Sequence, residues 1–216
     1  MKTFVMGDIH GQYTALVGCL TAAGFNYDHD RLITLGDVCD RGPQVKECID
    51  ELLKIRHLIF ILGNHDAMTL EWAIYGELTN EWLHQGGSAT ALSYKDGGMP
   101  KEHITLLAKA PLYFDDGRRL FVHGGFDVEL GVEETPKEIF LWDRGLYDSA
   151  EQLHPTCPEW KFGDYDEIFI GHTPTLFQKK NVPVKLCNVW IMDTGACFRG
   201  GKLTIMDVDT KQFWQA

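Results

Sequence analysis

The chain has 216 residues, of which 44% are hydrophobic and 12% aromatic, enough to bury the core of one large domain spanning residues 1–216. A formal charge of −11 excludes a nucleic-acid backbone or an anionic membrane as the main partner, because both reward clustered Lys and Arg. No apolar run approaches the roughly 18 residues of a membrane helix, and Asp8 follows Met1 too closely for a signal peptide, so a cytoplasmic monomer is expected.

In chain order, residues 2–6 form a short apolar strand that runs into the turn Gly7-Asp8-Ile9-His10-Gly11. Gln12 to Ala23 then sets Ala15, Leu16, Cys19, Leu20 and Ala23 on one helical face, with Gly24 as C-cap. A second strand, Leu32 to Leu35, delivers Gly36-Asp37-Val38-Cys39-Asp40-Arg41-Gly42. Pro43 should open the following helix, whose buried stripe is Val45, Cys48, Ile49, Leu52 and Leu53. The third strand, Leu58 to Leu62, is continuously apolar, as expected when both faces are covered, and ends in Gly63-Asn64-His65-Asp66. Strand, polar turn and helix thus recur, predicting an α/β fold with βαβ units.

Residues 67–109 are helical and irregular, with Trp72, Tyr75 and Trp82 beside the mouth of the strand ends. Simple packing and a lid are both open for that aromatic stripe. A second sheet follows, from Leu120 to Val122 before His123, Glu167 to Ile170 before Gly171-His172-Thr173, and Val189 to Met192 before Asp193. Residues 203–208 are expected as the last strand and residues 129–163 as a long functional loop carrying Trp142-Asp143-Arg144. The six cysteines (Cys19, Cys39, Cys48, Cys157, Cys187 and Cys197) make no CxxC pair and are expected as buried thiols.

The polar residues at strand ends are Asp8, His10, Asp37, Asn64, His65, His123 and His172. Carboxylates, imidazoles and an amide form a donor set for two first-row transition metals, softer than a calcium cage and harder than a thiolate site. Asp8 and His10 straddle one ion, Asp37 bridges, and Asn64, His123 and His172 complete the second. Two such ions activate a bridging hydroxide for direct attack on phosphorus. His65 can then protonate the leaving oxygen with Asp40 fixing its orientation, and Arg41 and Arg144 can clamp phosphate oxygens. The remaining histidines, His29, His57, His84, His103 and His154, are expected in surface or helix packing.

The ordered set GDIHG, GDVCDRG, GNHD, HGG and GHT resembles the phosphoprotein phosphatase branch of the calcineurin-like metallophosphoesterases. Trp82-Leu83 leading to Gly86-Gly87, Trp142-Asp143-Arg144 and Met192-Asp193-Thr194-Gly195-Ala196 are similar to the small bacterial and phage lambda type serine/threonine phosphatases. The resemblance implies a four-layer αββα sandwich of two mixed sheets flanked by helices. It also implies two divalent or trivalent metal ions, manganese with iron or zinc as alternatives, and a phosphorylated protein or small phosphoester as substrate. The same ligands, dyad and arginines follow from it. One departure concerns Leu62, which stands where the protein phosphatases carry an arginine before GNH. The local run LGNHD is similar instead to the symmetrical diadenosine tetraphosphatases. A symmetrical bis(5'-nucleosyl)-tetraphosphatase is therefore the alternative enzyme, and a non-catalytic scaffold of the same fold the alternative of another class.

Overall fold

Apolar runs that end in glycine-rich polar turns build the first sheet. The computed structural model describes residues 1–216 and places β1 (Thr3–Met6), β2 (Arg31–Thr34) and β3 (His57–Phe60) side by side in parallel. Helices α1 (Tyr13–Ala22) and α2 (Val45–Leu52) connect them, and α3 (Asn64–Tyr75) starts at the tip of β3. Two late strands, β9 (Thr204–Asp207) and β10 (Phe213–Gln215), extend the sheet on the other side of β1, giving the order β10-β9-β1-β2-β3.

The second sheet has the order β4-β5-β6-β8-β7. Its centre, β5 (Arg119–Val122), β6 (Glu167–Ile170) and β8 (Val189–Ile191), is parallel, and β4 (Tyr113–Asp115) and β7 (Val184–Leu186) pair antiparallel at its edges. Between the sheets in sequence lie α4 (Asn80–Trp82), a turn (Leu83–Gly87) kinked at Gly86, α5 (Ser88–Ser93) and α6 (Lys101–Lys109). The segment between β5 and β6 carries α7 (Lys137–Trp142) and α8 (Gly145–Leu153).

Three buried clusters show how the layers stack. Val5, Ile33, Ile61, Phe121, Phe169 and Met206 come from both sheets and meet in the middle, where Phe121 and Phe169 stack at 4.9 Å. Leu16, Cys19, Leu20, Cys48, Ile49 and Leu52 of α1 and α2 cover the outer face of the first sheet. Phe140, Leu146, Tyr147 and Ala150 of α7 and α8 cover the outer face of the second. Helix, sheet, sheet, helix is the four-layer α/β sandwich expected, and burial on both faces accounts for the apolar centres of β1, β2, β5 and β6. By contrast, β3 lies at the sheet edge with His57 exposed and Leu58 and Ile59 only half-buried, not covered on both faces as expected.

Several boundaries differ from expectation. Pro43 lies in the turn ahead of α2, because residues 40–43 are bent to bring Asp40 and Arg41 inward with positive φ. Leu53 is 41% exposed and so leaves the buried stripe. The 203–208 strand is followed by β10, whose Trp214 packs on Phe4 at 6.1 Å. Residues 129–163 contain two helices: Phe140 and Leu141 are buried from the first, and Leu146 and Ala150, four residues apart, from the second. Cys157 is exposed and Cys197 half-buried, and the other four thiols are buried.

Candidate metal centre

All seven strand-end residues are buried and face the same space, each at 8% exposure or less. The turns are stitched to one another first. Asp37 O accepts the amides of Ile9 and His10 at 3.0 and 2.8 Å, and Asp37 Oδ1 accepts the amide of His65 at 3.0 Å. From the second sheet, the amide of His172 donates to Asp8 Oδ1 and Oδ2, both at 3.2 Å, although 164 residues separate the two in sequence. Gly63 lies so close to the amide and carboxylate of Asp37 that a methyl group there would overlap them.

Backbone conformation marks the same residues. Eight residues other than glycine have positive φ, and five of them are His10, Asp37, Asp40, Arg41 and His172. Such conformations cost of order 1–3 kcal/mol each and persist where the surroundings over-determine them.

The imidazoles are oriented through their outer nitrogens. His10 Nδ1 donates to Cys39 O at 2.8 Å, His123 Nδ1 to Leu35 O at 2.7 Å, and His172 Nε2 to Trp142 O at 3.2 Å. Each ring therefore turns its other nitrogen, without a proton, toward Asp37 and Asn64. His10 Nε2 lies 3.6 Å from Asp37 Oδ2 and His123 Nε2 3.4 Å from Asp37 Oδ1, while Asn64 Oδ1 is 2.9 Å from His123 Nε2 and 3.1 Å from His172 Nδ1. Burial, with neighbouring positive groups, lowers His10 and His172 to pKa values of about 3 and also lowers His123, so these rings present lone pairs. Burial together with Asp193 and Asp37 raises the Asp8 carboxyl well above its ordinary value.

Acceptor atoms that converge around Asp37 and Asn64 fit a cation, and backbone carbonyls that hold the far ring nitrogens are the usual support of metal-binding histidines. Two overlapping groups share Asp37: His10, Asp37 and His65, and Asp37, His123 and His172. Asp8 stands beside both, bonded to the amide of His172 in the second and in charge interaction with the shared Asp37. A cationic side chain already takes part: Arg41 Nη1 donates to His10 Nε2 at 3.0 Å and Nη2 to His65 Nε2 at 2.9 Å.

His65 Nδ1 donates to Asp40 Oδ2 at 2.8 Å. Burial alone would lower the pKa of His65, but the charge of Asp37 and the bond to Asp40 outweigh it and raise the value above the ordinary one. Arg41 also lies over the ring of Phe198 at 5.4 Å. Arg144 is exposed at the start of α8, within electrostatic reach of His172 and without an ion pair. The side chain of Leu62 is turned inward at 6% exposure, and its amide donates to Pro111 O at 2.9 Å.

Sequence patterning assigned no site role to three kinds of residue here. Asp193 is buried beside Asp8, and its pKa is raised to about 6 by burial. Asp66 accepts the amides of Val38, Cys39 and Gly63 at 3.0, 3.0 and 3.1 Å. Trp82, Thr69 and Thr90 surround Asp40. Asp193 and Asp66 stand in strand-end motifs and Trp82 in a motif of the resemblance, so the sequence marks their places but not their roles, and nothing local marks Thr69 and Thr90.

Beside Asn64 opens a groove of about 370 Å³ lined by Trp72, Tyr75, Trp142, Glu71, Glu81 and Glu138 among others. The largest cavity, about 850 Å³, lies elsewhere, between α6 and the edges of β3 and β4, away from the titratable cluster.

Known proteins of similar sequence and structure carry related chemistry. The chain is 27% identical over 213 residues to serine/threonine-protein phosphatase 1 of Salmonella typhimurium, covering 94% of this chain and 89% of that protein. It is also 27% identical over 232 residues to the asymmetrical bis(5'-nucleosyl)-tetraphosphatase PrpE of Bacillus mycoides, with the same coverage of 94% and 89%. A crystal structure of a candidate diadenosine tetraphosphatase superimposes with a TM-score of 0.72 at 18% identity, over 100% of this chain and 92% of that one, which shows the shared fold. The family model for calcineurin-like phosphoesterases matches residues 1–176, and the chain belongs to that family of phosphoester hydrolases.

Proposed function

We propose that this chain is a dinuclear metal-dependent phosphomonoesterase acting on phosphoserine, phosphothreonine or small phosphoesters. In this proposal Asp8, His10 and Asp37 hold one ion, and Asp37, Asn64, His123 and His172 hold the other, with manganese as the resident metal and iron or zinc as alternatives. The observation that carries it is the inward turn of three imidazole lone pairs around Asp37, each fixed by a backbone carbonyl on the far side of the ring. We further take residues 1–216 as one domain, working as a cytoplasmic monomer.

When bound, two ions lower the pKa of a shared water and offset charge on the transferring phosphoryl group. The chain supplies the rest. Arg41 presents both terminal nitrogens to the space in front of His10 and His65, where it would grip non-bridging phosphate oxygens, with Arg144 approaching from α8. His65, held by Asp40 through Nδ1, has Nε2 in that same space; once Arg41 turns from it to a phosphate, the carboxylates Asp37 and Asp40 favour a proton on Nε2, which the leaving oxygen needs. Four glutamates, Glu71, Glu77, Glu81 and Glu138, line the adjoining groove and disfavour a long polyphosphate there, which ranks a phosphomonoester first.

Manganese-stimulated release of phosphate from p-nitrophenyl phosphate tests the proposal. Asp37→Asn and His65→Asn should each lower turnover by about 10²-fold or more. Unchanged turnover in both variants would remove the mechanism.

A second substrate class has support of its own. Leu62 stands where the resemblance implies an arginine contact, and the match to PrpE covers nearly the whole chain, which supports a dinucleoside polyphosphate as substrate although PrpE is an asymmetrical and not a symmetrical tetraphosphatase. A substrate panel separates the two: faster cleavage of diadenosine tetraphosphate than of a phosphopeptide would reverse the ranking.

A further inference from the structure

The buried Asp40 carboxylate, at 0% exposure, receives more donors than its partnership with His65 requires. Trp82 Nε1 donates to both of its oxygens at 3.0 and 2.9 Å. Thr90 Oγ1 donates to Oδ1 at 2.7 Å and accepts the Asp40 amide at 2.9 Å, and Thr69 Oγ1 adds a longer bond at 3.2 Å. These donors come from three separate helices, α3, α4 and α5.

The turn between α4 and α5 explains how one indole reaches so far. Gly86 has a φ of 104°, which kinks the chain here, and its carbonyl accepts the amide of Arg41 at 3.1 Å, so the kinked turn grips the backbone of the residue proposed to bind phosphate. Gly87 leaves no room for a side chain, because the Trp82 indole lies where its Cβ would be. Trp72 closes the other face of that indole at 5.1 Å in a stacked arrangement. The indole is thus fixed in plane and in rotation, with its N–H aimed at Asp40.

We propose that Trp82 and Thr90 are positioning residues: they lock the Asp40 carboxylate so that His65 presents Nε2 to the leaving group, while the Gly86 carbonyl sets Arg41 from the same turn. The proposal rests on the phosphomonoesterase function above. Core packing alone would need the ring of Trp82 but not its N–H, and would not need the hydroxyl of Thr90. Protonation of the leaving oxygen matters most for esters whose alcohol leaves poorly. Mispositioning His65 should therefore slow alkyl esters selectively.

Thr90→Val removes its donor with little change in volume, and Trp82→Phe removes the N–H together with part of the buried ring, so Thr90→Val is the arm that separates the hydrogen bond from packing. Two measurements apply to each: the downfield proton resonance of His65 Nδ1–H, assigned by its absence in His65→Asn, and kinetics on a phosphoserine peptide and on p-nitrophenyl phosphate. The resonance should move or vanish in both variants. The kcat on the phosphoserine peptide should fall by about 10²-fold and that on p-nitrophenyl phosphate by only about 3-fold, with KM little changed. Thr90→Ser should regain most of what Thr90→Val loses. An unmoved resonance, or an equal loss on both esters, overturns the positioning role. A moved resonance in a protein that releases phosphate from no monoester would support positioning and reject the phosphomonoesterase function instead.

Discussion

Asp66 shows what one side chain does for the architecture of the site. Its Oδ1 holds the amides of Val38 and Cys39, and Oδ2 holds the amide of Gly63, so the second and third strand tips are tied by one carboxylate. It is fully buried, and burial with the nearby Asp37 raises its pKa to about 7. A longer glutamate at this position would have to fold back to reach the same three amides, which gives the ending GNHD a physical meaning. Asp66→Ala leaves those amides without a partner and should destabilise the fold by about 3 kcal/mol. Denaturant unfolding of the two proteins checks it, and a loss below about 0.5 kcal/mol would show that water replaces the carboxylate.

Helices α2, α5 and α6 converge on one imidazole. His103 is at 0% exposure and bonds the hydroxyl of Tyr94 at 2.8 Å and Asp50 at 2.9 Å, linking the segment that carries Trp82 to the first sheet's helical layer. Burial lowers its pKa below the ordinary 6.5 despite Asp50. The unfolded chain therefore binds a proton more readily than the folded one, so the stability from this ring is complete above pH 6.5 and is lost as pH falls through the folded value. In His103→Gln the decline of stability on acidification should be shallower than in the wild type. Chemical denaturation at a series of pH values measures the difference, and parallel curves would exclude the effect. Elements also show what a sequence can and cannot disclose. Strand tips were legible because an apolar run followed by Gly-Asp or Gly-Asn states both the strand and the acid that ends it. Strands β4, β7 and β10 were not, because three residues carry too little periodicity, whereas the equally short β8 continues its apolar run to Met192 before the turn at Asp193. The contact between Trp82 and Asp40 spans 42 residues and joins residues with no shared local pattern, so only the folded chain reveals it.

At the scale of the whole molecule, both sheets are needed for the candidate centre. Asp8, His10, Asp37 and Asn64 come from tips of the first sheet and His123 and His172 from tips of the second, and the apolar layer between the sheets sets their separation. Gathering Asp8, Asp37 and Asp193 with three neutral imidazoles in one dry space costs desolvation energy, which the rest of the fold must offset. A cation that binds the folded arrangement and not the unfolded chain returns stability, by about 2.7 kcal/mol per site at a free concentration one hundred times the Kd. Removal of metal with EDTA should therefore lower the Tm, and manganese should restore it. Asp37→Asn, which alters the residue shared by both ligand groups, should abolish most of the manganese-dependent rise, whereas Asp8→Asn should leave the share due to the second ion. Scanning calorimetry on the three proteins with and without manganese reads this without any substrate. An equal rise in all three would place the ion somewhere other than these strand tips.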